Sequence, residues 1–180
     1  MRFAPLLLAA GIAPAVFAQP VDTAQSQIHF ALKQMGVSVE GSFAQFNATV
    51  DFHTDRPQAA KADIIIRTAS IALPTDDASK QARQMDWFNA GQFPSARFVS
   101  TAFQPIGDGR FLVKGKLTIK GITQDVSAPF LAKAQANGLV VDGALPISRL
   151  AFHVGDGEWS DTSVIADAVQ VKFHLVLKGT

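Results

Sequence analysis

A two-residue alternation of apolar and polar side chains runs along most of this chain and constrains its fold more than any other feature. The alternation is clearest in residues 61–67, 111–120 and 169–178, where every second residue is apolar or glycine and most of the others are polar. Such a period places one face of a β-strand in a core and the other in water, which is typical of antiparallel sheets. The pattern therefore predicts an all-β protein.

A weaker form of the same alternation occurs in five further stretches: residues 28–33, 37–52, 96–103, 124–133 and 139–147. Gly, Pro, Asn and Asp residues separate these stretches and predict turns. Within residues 37–52 the apolar positions change parity near Ala44-Gln45, as happens at a β-bulge or a corner. Long bent strands suit a sheet that closes on itself. We therefore predict an eight-stranded antiparallel barrel.

Residues 76–90 do not follow the strand pattern. Residues 79–85 have a helical composition, and Asp86-Trp87-Phe88 follows them. We expect one short helix and a loop inserted between two strands. The sequence shows no tandem repeat, low-complexity tract or linker, so we expect a single domain.

The first 18 residues have the pattern of a secretory signal peptide. Arg2 gives a positive start, an apolar run follows, and Val16 and Ala18 occupy the −3 and −1 positions of a cleavage site. A membrane anchor is the alternative, but the apolar run is shorter than the ~20 residues that a span needs. We predict a signal peptide of residues 1–18, a mature domain of residues 19–180 and a periplasmic location.

The composition argues against several classes of protein. The 16 Lys and Arg residues nearly balance the 15 Asp and Glu residues, whereas nucleic-acid-binding proteins carry a clustered basic excess. The absence of Cys excludes disulfides, thiolate metal sites and cysteine nucleophiles. With no Tyr and two Trp, the chain lacks the aromatic girdles of an outer-membrane barrel.

The sequence contains no recognisable catalytic or metal-binding motif. Its four His residues have no metal-ligand spacing, and its Ser residues lack the setting of a catalytic nucleophile. His29 and His174 fall on the polar faces of predicted strands, which indicates solvated side chains. We predict no catalytic residue, no metal and no cofactor.

The predicted inward faces mix large and small residues. Phe side chains lie beside small residues at inward positions, among them Gly41, Gly115 and Gly143. Small residues leave room either for a ligand or for neighbouring side chains, and an eight-stranded barrel is near the size at which both occur. The pattern therefore allows a hollow barrel that holds a long apolar molecule as well as a filled core.

Several segments, taken in order, resemble the YceI-like family of secreted lipocalin-like proteins over nearly the whole mature chain. These segments are Val21-Asp22 with Ser26-Gln27-Ile28-His29-Phe30, Val39-Glu40-Gly41-Ser42-Phe43 with Phe46, Thr68-Ala69-Ser70-Ile71, Asp86-Trp87-Phe88 with Phe93-Pro94 and Phe98, residues 115–123, and Ser148-Arg149-Leu150-Ala151-Phe152. The resemblance implies a lipocalin-like barrel with a helix near one mouth. It also implies an interior pocket for polyisoprenoid lipids such as isoprenoid quinones.

The chain departs from the family at two positions. Gln25 and Gln34 stand where the family often has His. Gln34-Met35-Gly36 and residues 154–159 resemble a subgroup in which some members are linked to membrane b-type cytochromes. The resemblance therefore implies a membrane b-type cytochrome, or a second copy of the chain, as a candidate partner beside the lipid.

The candidate ligand-binding residues follow from the inward pattern and from the resemblance. Those expected to line the pocket are Phe30, Phe43, Phe98, Leu117 and Phe152. Those expected to form a lid or plug, or to cap one end of the barrel, are Trp87, Phe88 and Phe93. Trp159 is expected at the mouth, and Arg149 and Asp161 either contact a headgroup or form a salt bridge that holds the loop.

The sequence thus predicts a non-enzymatic periplasmic carrier, or a sequestering protein, for a long-chain isoprenoid lipid. Two alternatives remain open at this point. The first is an enzyme that acts on such a lipid, which would need polar residues with perturbed pKa values inside the pocket. The second is a structural or stress-related barrel with a filled core.

Overall fold

A single curled antiparallel sheet and one short α-helix make up the computed structural model, which describes residues 18–179. Most of the predicted signal peptide, residues 1–17, lies outside the described residues. The eleven strands are β1 (Gln19–Pro20), β2 (Gln27–Gln34), β3 (Val37–Phe43), β4 (Phe46–Asp51), β5 (Lys61–Arg67), β6 (Ile71–Ala72), β7 (Ser95–Gly107), β8 (Arg110–Ile119), β9 (Ile122–Gln135), β10 (Gly138–Ser148) and β11 (Ala168–Lys178). The helix α1 spans Asp76–Ala82.

The order of strands across the sheet explains how it curls. The order is β1-β4-β5-β7-β8-β9-β10-β11-β2-β3-β6, and all neighbours are antiparallel. Strands β3 and β4 lie near opposite ends of this order, yet they follow each other in the chain. The chain itself therefore joins the two sides of the sheet, and the fold is all-β and lipocalin-like.

The predicted eight-stranded closed barrel is wrong in two respects: across the described residues the sheet has eleven strands, and its two end strands, β1 and β6, do not pair with each other. The stretch predicted as one bent strand divides at Ala44–Gln45 into β3 and β4. There the Ala44 N–H donates to the Ser70 carbonyl (3.1 Å), and the Gln45 carbonyl accepts from the Arg67 N–H (3.0 Å). The other two additional strands, β1 and β6, have two residues each and are too short to carry a period.

The alternation of side chains predicted for the long strands is confirmed. Along β8, Val113, Leu117 and Ile119 are buried, whereas Lys114 and Lys116 are exposed.

Phe rings fill the space beside the inward glycines. A Cβ on Gly41 would overlap the Phe30 ring. Gly115 is matched in the same way by Phe98, and Gly143 by Phe173. Each of these glycines therefore leaves space that an aromatic ring of a neighbouring strand fills.

Replacing Gly143 with Ala should destabilise the protein by about 1–3 kcal/mol. The added methyl group would overlap the Phe173 ring and would lie 2.8 Å from the Phe130 Cβ. Urea unfolding measures the effect, and Gly91→Ala is the control because nothing lies within 4 Å of a Cβ there. Equal unfolding midpoints for the two variants would show that the Phe173 ring moves aside without cost.

Helix α1 and an aromatic cluster occupy different parts of the interior. The ring of Phe52 packs on those of Phe103, Phe111 and Phe130, with centroid distances of 5.5, 5.0 and 5.2 Å. Helix α1 belongs to a separate core cluster, in which Ala82 packs with Phe30, Ile71 and Val169. Within residues 18–179, no helix is long and apolar enough to cross a membrane.

Candidate functional site

The curled sheet encloses a cavity of about 680 Å³. This volume lies within the range of roughly 300–1,000 Å³ that is typical of small-molecule pockets. The sequence left open whether the barrel is hollow or filled. Both features occur in the structure, because rings occupy the space beside the glycines while a large cavity remains between the strands.

The wall of the cavity is apolar and elongated. Alternate residues of the strands line it; on β11 these are Val169, Val171, Phe173, Leu175 and Leu177. On β10 the lining residues extend from Val141 to Ile147. Six residues of an extended strand cover about 20 Å. The cavity is therefore long enough for an extended apolar chain.

The polar lining residues come from neighbouring segments at one end of the cavity. They are Gln34 at the end of β2, Thr75, Asp77 and Gln81 in and before α1, and Arg149 after β10. Gln34 is bridged to Ile165, whose carbonyl accepts a hydrogen bond from Arg149. The aromatic cluster around Phe52 lies at the other end of the strands. We call the polar region the polar end of the cavity.

Arg149 organises the polar end. Its side chain is 2% exposed, and all five of its N–H groups are used. Nε donates to the Ala166 carbonyl (3.1 Å). Nη1 donates to the carbonyls of Val154 (3.0 Å) and Gly155 (2.7 Å). Nη2 donates to those of Trp159 (2.7 Å) and Ile165 (2.8 Å). One side chain thus holds residues 154–166 against the end of the sheet.

The guanidinium of Arg149 is charged but has no paired carboxylate. Burial lowers its pKa, while the nearby carboxylates of Asp167 and Asp156 oppose that shift. An arginine remains protonated in such a setting. Among residues 18–179, no carboxylate oxygen lies within 4.0 Å of its nitrogens. The polar end therefore contains a buried positive charge.

The salt bridge predicted between Arg149 and Asp161 is not formed. Asp161 is exposed and accepts hydrogen bonds from the Ser163 backbone N–H (2.9 Å) and from its hydroxyl (2.6 Å). These bonds lower the pKa of Asp161. Arg149 interacts with backbone carbonyls instead, because several of them converge on its buried side chain.

Two tryptophans stand beside Arg149 on the cavity wall. The ring centroids of Trp87 and Trp159 are 5.7 Å apart, and the Arg149 guanidinium carbon lies 5.7 Å from the Trp87 ring. Both indole Nε1 atoms are buried, and neither has a hydrogen-bond acceptor in the part of the chain that the structure describes.

Most of the predicted site residues lie together on the cavity wall. Those that line it are Phe30, Phe43, Trp87, Phe88, Phe98, Leu117, Arg149, Phe152 and Trp159. Phe93 and Asp161 lie outside the lining. The Phe93 carbonyl accepts from the Thr68 hydroxyl (2.7 Å), and its ring lies beside Gly121. The contact of each predicted residue with a ligand stays a prediction.

Sequence reasoning missed the polar residues contributed by α1 and β2. Helix α1 begins at Asp76, three residues before the predicted start. The Thr75 hydroxyl accepts from the Ala78 N–H (3.2 Å), and two Asp residues occupy the first turn. Such an N-cap with acidic residues is a recognised start signal that could have placed α1 correctly. No comparable signal marks Gln34.

The described residues show no metal-binding cluster of three or more His, Asp or Glu side chains. His29 is exposed, and His174 Nδ1 pairs with Asp142 at 2.6 Å on the partly exposed face of the sheet. His29, His174 and Asp142 all lie outside the cavity lining. The chemistry at the cavity is therefore that of an apolar wall with hydrogen-bonding groups at one end.

A curled antiparallel sheet around an elongated apolar cavity places this protein among the lipocalin-like β-proteins. The profile of the YceI-like domain matches residues 20–177. The chain belongs to the YceI-like family, and the resemblance noted in the sequence is confirmed.

Comparisons with individual proteins agree with this assignment. The chain is 30% identical to the UPF0312 protein of Shewanella oneidensis over 76% of this chain and 68% of that protein. The crystal structure of BcnA of Burkholderia cenocepacia is 43% identical, with a TM-score of 0.86 over 88% of this chain and all of that chain. A polyisoprenoid-binding domain of Saccharophagus degradans is 16% identical, with a TM-score of 0.72 over 91% and 99% of the two chains, and shares the fold.

Proposed function

We propose that the protein binds a long-chain isoprenoid lipid, such as an isoprenoid quinone, and carries or sequesters it without changing it chemically. The observation that carries this proposal is the elongated cavity of about 680 Å³, whose wall is apolar except at one end. A lipid with an apolar tail and a small polar headgroup matches that distribution. The name of the related domain of Saccharophagus degradans, which describes polyisoprenoid binding, supports the same ligand class.

Burial of the tail supplies the binding free energy in this proposal. Each methylene removed from water contributes about 0.8 kcal/mol. Ten carbons would contribute on the order of 8 kcal/mol before the cost of ordering the ligand. A preformed wall keeps that cost low because the strands hold the lining side chains in place.

The alternative function is an enzyme that acts on such a lipid. The ionisable groups at the polar end support catalysis less well than they support binding. Pocket groups with strongly shifted pKa values are typical of catalytic sites. In residues 18–179, pKa shifts occur at Asp22, Asp63, Arg97, Arg149 and Asp161. Of these only Arg149 lines the cavity, and its five N–H groups are already bonded to carbonyls. It has no proton to transfer to a substrate.

The location and the protein partner remain proposals that rest on the sequence. We propose that residues 1–18 direct export to the periplasm and that the mature protein acts there. A membrane b-type cytochrome or a second copy of the chain is the proposed partner. Cell fractionation of a strain that produces the full chain tests the location, and retention of the protein in the cytoplasm would contradict it.

Intrinsic fluorescence offers a direct binding assay. The chain has two Trp and no Tyr, and both Trp residues line the cavity. Quinones quench indole emission on contact. We expect delipidated protein to show saturable quenching when menaquinone with a geranylgeranyl tail is added. Free indole, measured under the same conditions, is the control for quenching by collision. Quenching of the protein that rises linearly without saturation, as expected for free indole, would contradict the proposed binding.

A further inference from the structure

The two indole N–H groups on the cavity wall are unsatisfied donors placed side by side. Burying a donor without an acceptor is energetically unfavourable, and such groups in native proteins call for an explanation. Trp87 and Trp159 each have one such donor, the indole N–H, and their ring centroids are 5.7 Å apart. Both residues line the cavity beside Arg149, at its polar end.

The buried guanidinium beside the two indoles favours an oxygen with negative or partial negative charge. Arg149 brings a buried positive charge that is bonded only to neutral carbonyls. Among the described lining residues the one carboxylate is that of Asp77. Its side chain is highly exposed and lies 3.5 Å from the Lys80 ammonium, so solvent screens its charge. A hydrogen-bond acceptor is therefore favoured here over a cationic group.

The two tryptophans are held in place by the backbone around them. The Trp159 carbonyl accepts from Arg149 Nη2 (2.7 Å). The Asp86 carbonyl, next to Trp87, accepts from the N–H groups of Gly155 (2.8 Å) and Asp156 (2.9 Å). The loop that carries Trp159 is thus tied to the segment that carries Trp87. Donors fixed in this way lose little freedom when an acceptor arrives.

We propose that Trp87 and Trp159 recognise the headgroup of the bound lipid by donating their indole N–H groups to an acceptor oxygen, a carbonyl or a phosphate oxygen. This inference rests on the proposed lipid binding and adds the chemistry of the headgroup. The apolar wall selects the tail, and the indole pair beside the Arg149 charge selects an oxygen acceptor and sets the direction in which the lipid enters.

Nitrogen-15 NMR of the tryptophan side chains tests this proposal directly, because the chain gives two indole N–H resonances. The probes are menaquinone with a geranylgeranyl tail, geranylgeranyl monophosphate and squalene, which has no oxygen. We expect at least one oxygen-bearing probe to shift the indole protons downfield, whereas squalene binds without such a shift. The probe that gives the larger shift identifies carbonyl or phosphate as the acceptor.

The variant Trp87→Phe/Trp159→Phe adds a second readout. Loss of both hydrogen bonds should weaken binding of the oxygen-bearing probe about tenfold, because the Phe side chains cannot donate to its acceptor oxygen. Binding of squalene to this variant should change by less than twofold. Equal losses for both probes would show that the rings act only through packing and would overturn the proposal.

The same measurements distinguish a failure of headgroup recognition from a failure of lipid binding. If the wild-type protein binds all three probes and the indole protons move downfield with none of them, headgroup recognition is wrong while lipid binding stands. If none of the three probes binds the folded protein saturably, the proposed function itself is wrong.

Discussion

Substituting Trp for Leu117 is expected to lower the affinity for menaquinone with a geranylgeranyl tail by at least tenfold while the sheet stays folded. Leu117 is buried on β8 and lines the cavity. The larger side chain extends into space that the lipid tail would occupy. A tail shortened by two or three methylenes loses about 1.6–2.4 kcal/mol of burial free energy, which is more than a factor of ten in affinity.

The matched control for this experiment is Lys114→Trp. Lys114 lies on the same strand, is exposed and points away from the cavity lining. The Lys114→Trp substitution adds the same chromophore and should leave lipid binding unchanged. Solvent extraction followed by quinone absorbance measures the bound lipid in both variants, and circular dichroism measures the fold. Wild-type uptake by a folded Leu117→Trp protein would mean that the lipid does not occupy this part of the cavity.

Replacing Arg149 with Met should destabilise the protein by at least about 3 kcal/mol, which is large for a single substitution. The change leaves five backbone carbonyls without their donor. A buried polar group that loses its partner costs roughly 1–3 kcal/mol, and residues 154–166 lose the side chain that holds them. The midpoint of urea unfolding measures the effect.

Arg97→Met provides the control because it removes an arginine from the surface. Arg97 Nε donates to Asp63 at 2.9 Å on the exposed face of the sheet, and this contact lowers the pKa of Asp63. Such an exposed pair contributes at most about 1 kcal/mol. An unfolding midpoint for Arg149→Met that equals that of Arg97→Met would contradict the organising role of Arg149.

The long strands could be predicted because apolar inward residues alternate along them with mostly polar outward residues. Leu117 and Lys116 differ in polarity, and they differ in burial for that reason. Strands β1 and β6 could not be predicted, because two residues carry no period. The break at Ala44–Gln45 depends on hydrogen bonds to Arg67 and Ser70, and these residues are neighbours only after the sheet has curled.

The candidate site also has one part that could be predicted from the sequence and one part that could not. Its apolar wall follows from alternation, which placed Phe30, Phe98 and Leu117 inside. The polar end depends on contacts between distant segments. Charge complementarity suggested a pair between Arg149 and Asp161, but charge alone does not show that several carbonyls converge on a buried guanidinium. The orphaned indole groups are likewise visible only when every neighbour of Trp87 and Trp159 is in place.

The most direct test of lipid binding is native mass spectrometry of the protein purified from its own cells without detergent. We expect a fraction of the folded protein to carry added mass. Solvent extraction of that fraction should release an isoprenoid lipid with a polar oxygen headgroup. Delipidated protein should regain the mass when the extracted lipid is returned. Folded protein that carries no lipid and takes up none of the three probes would contradict the proposal that this cavity is a lipid-binding site.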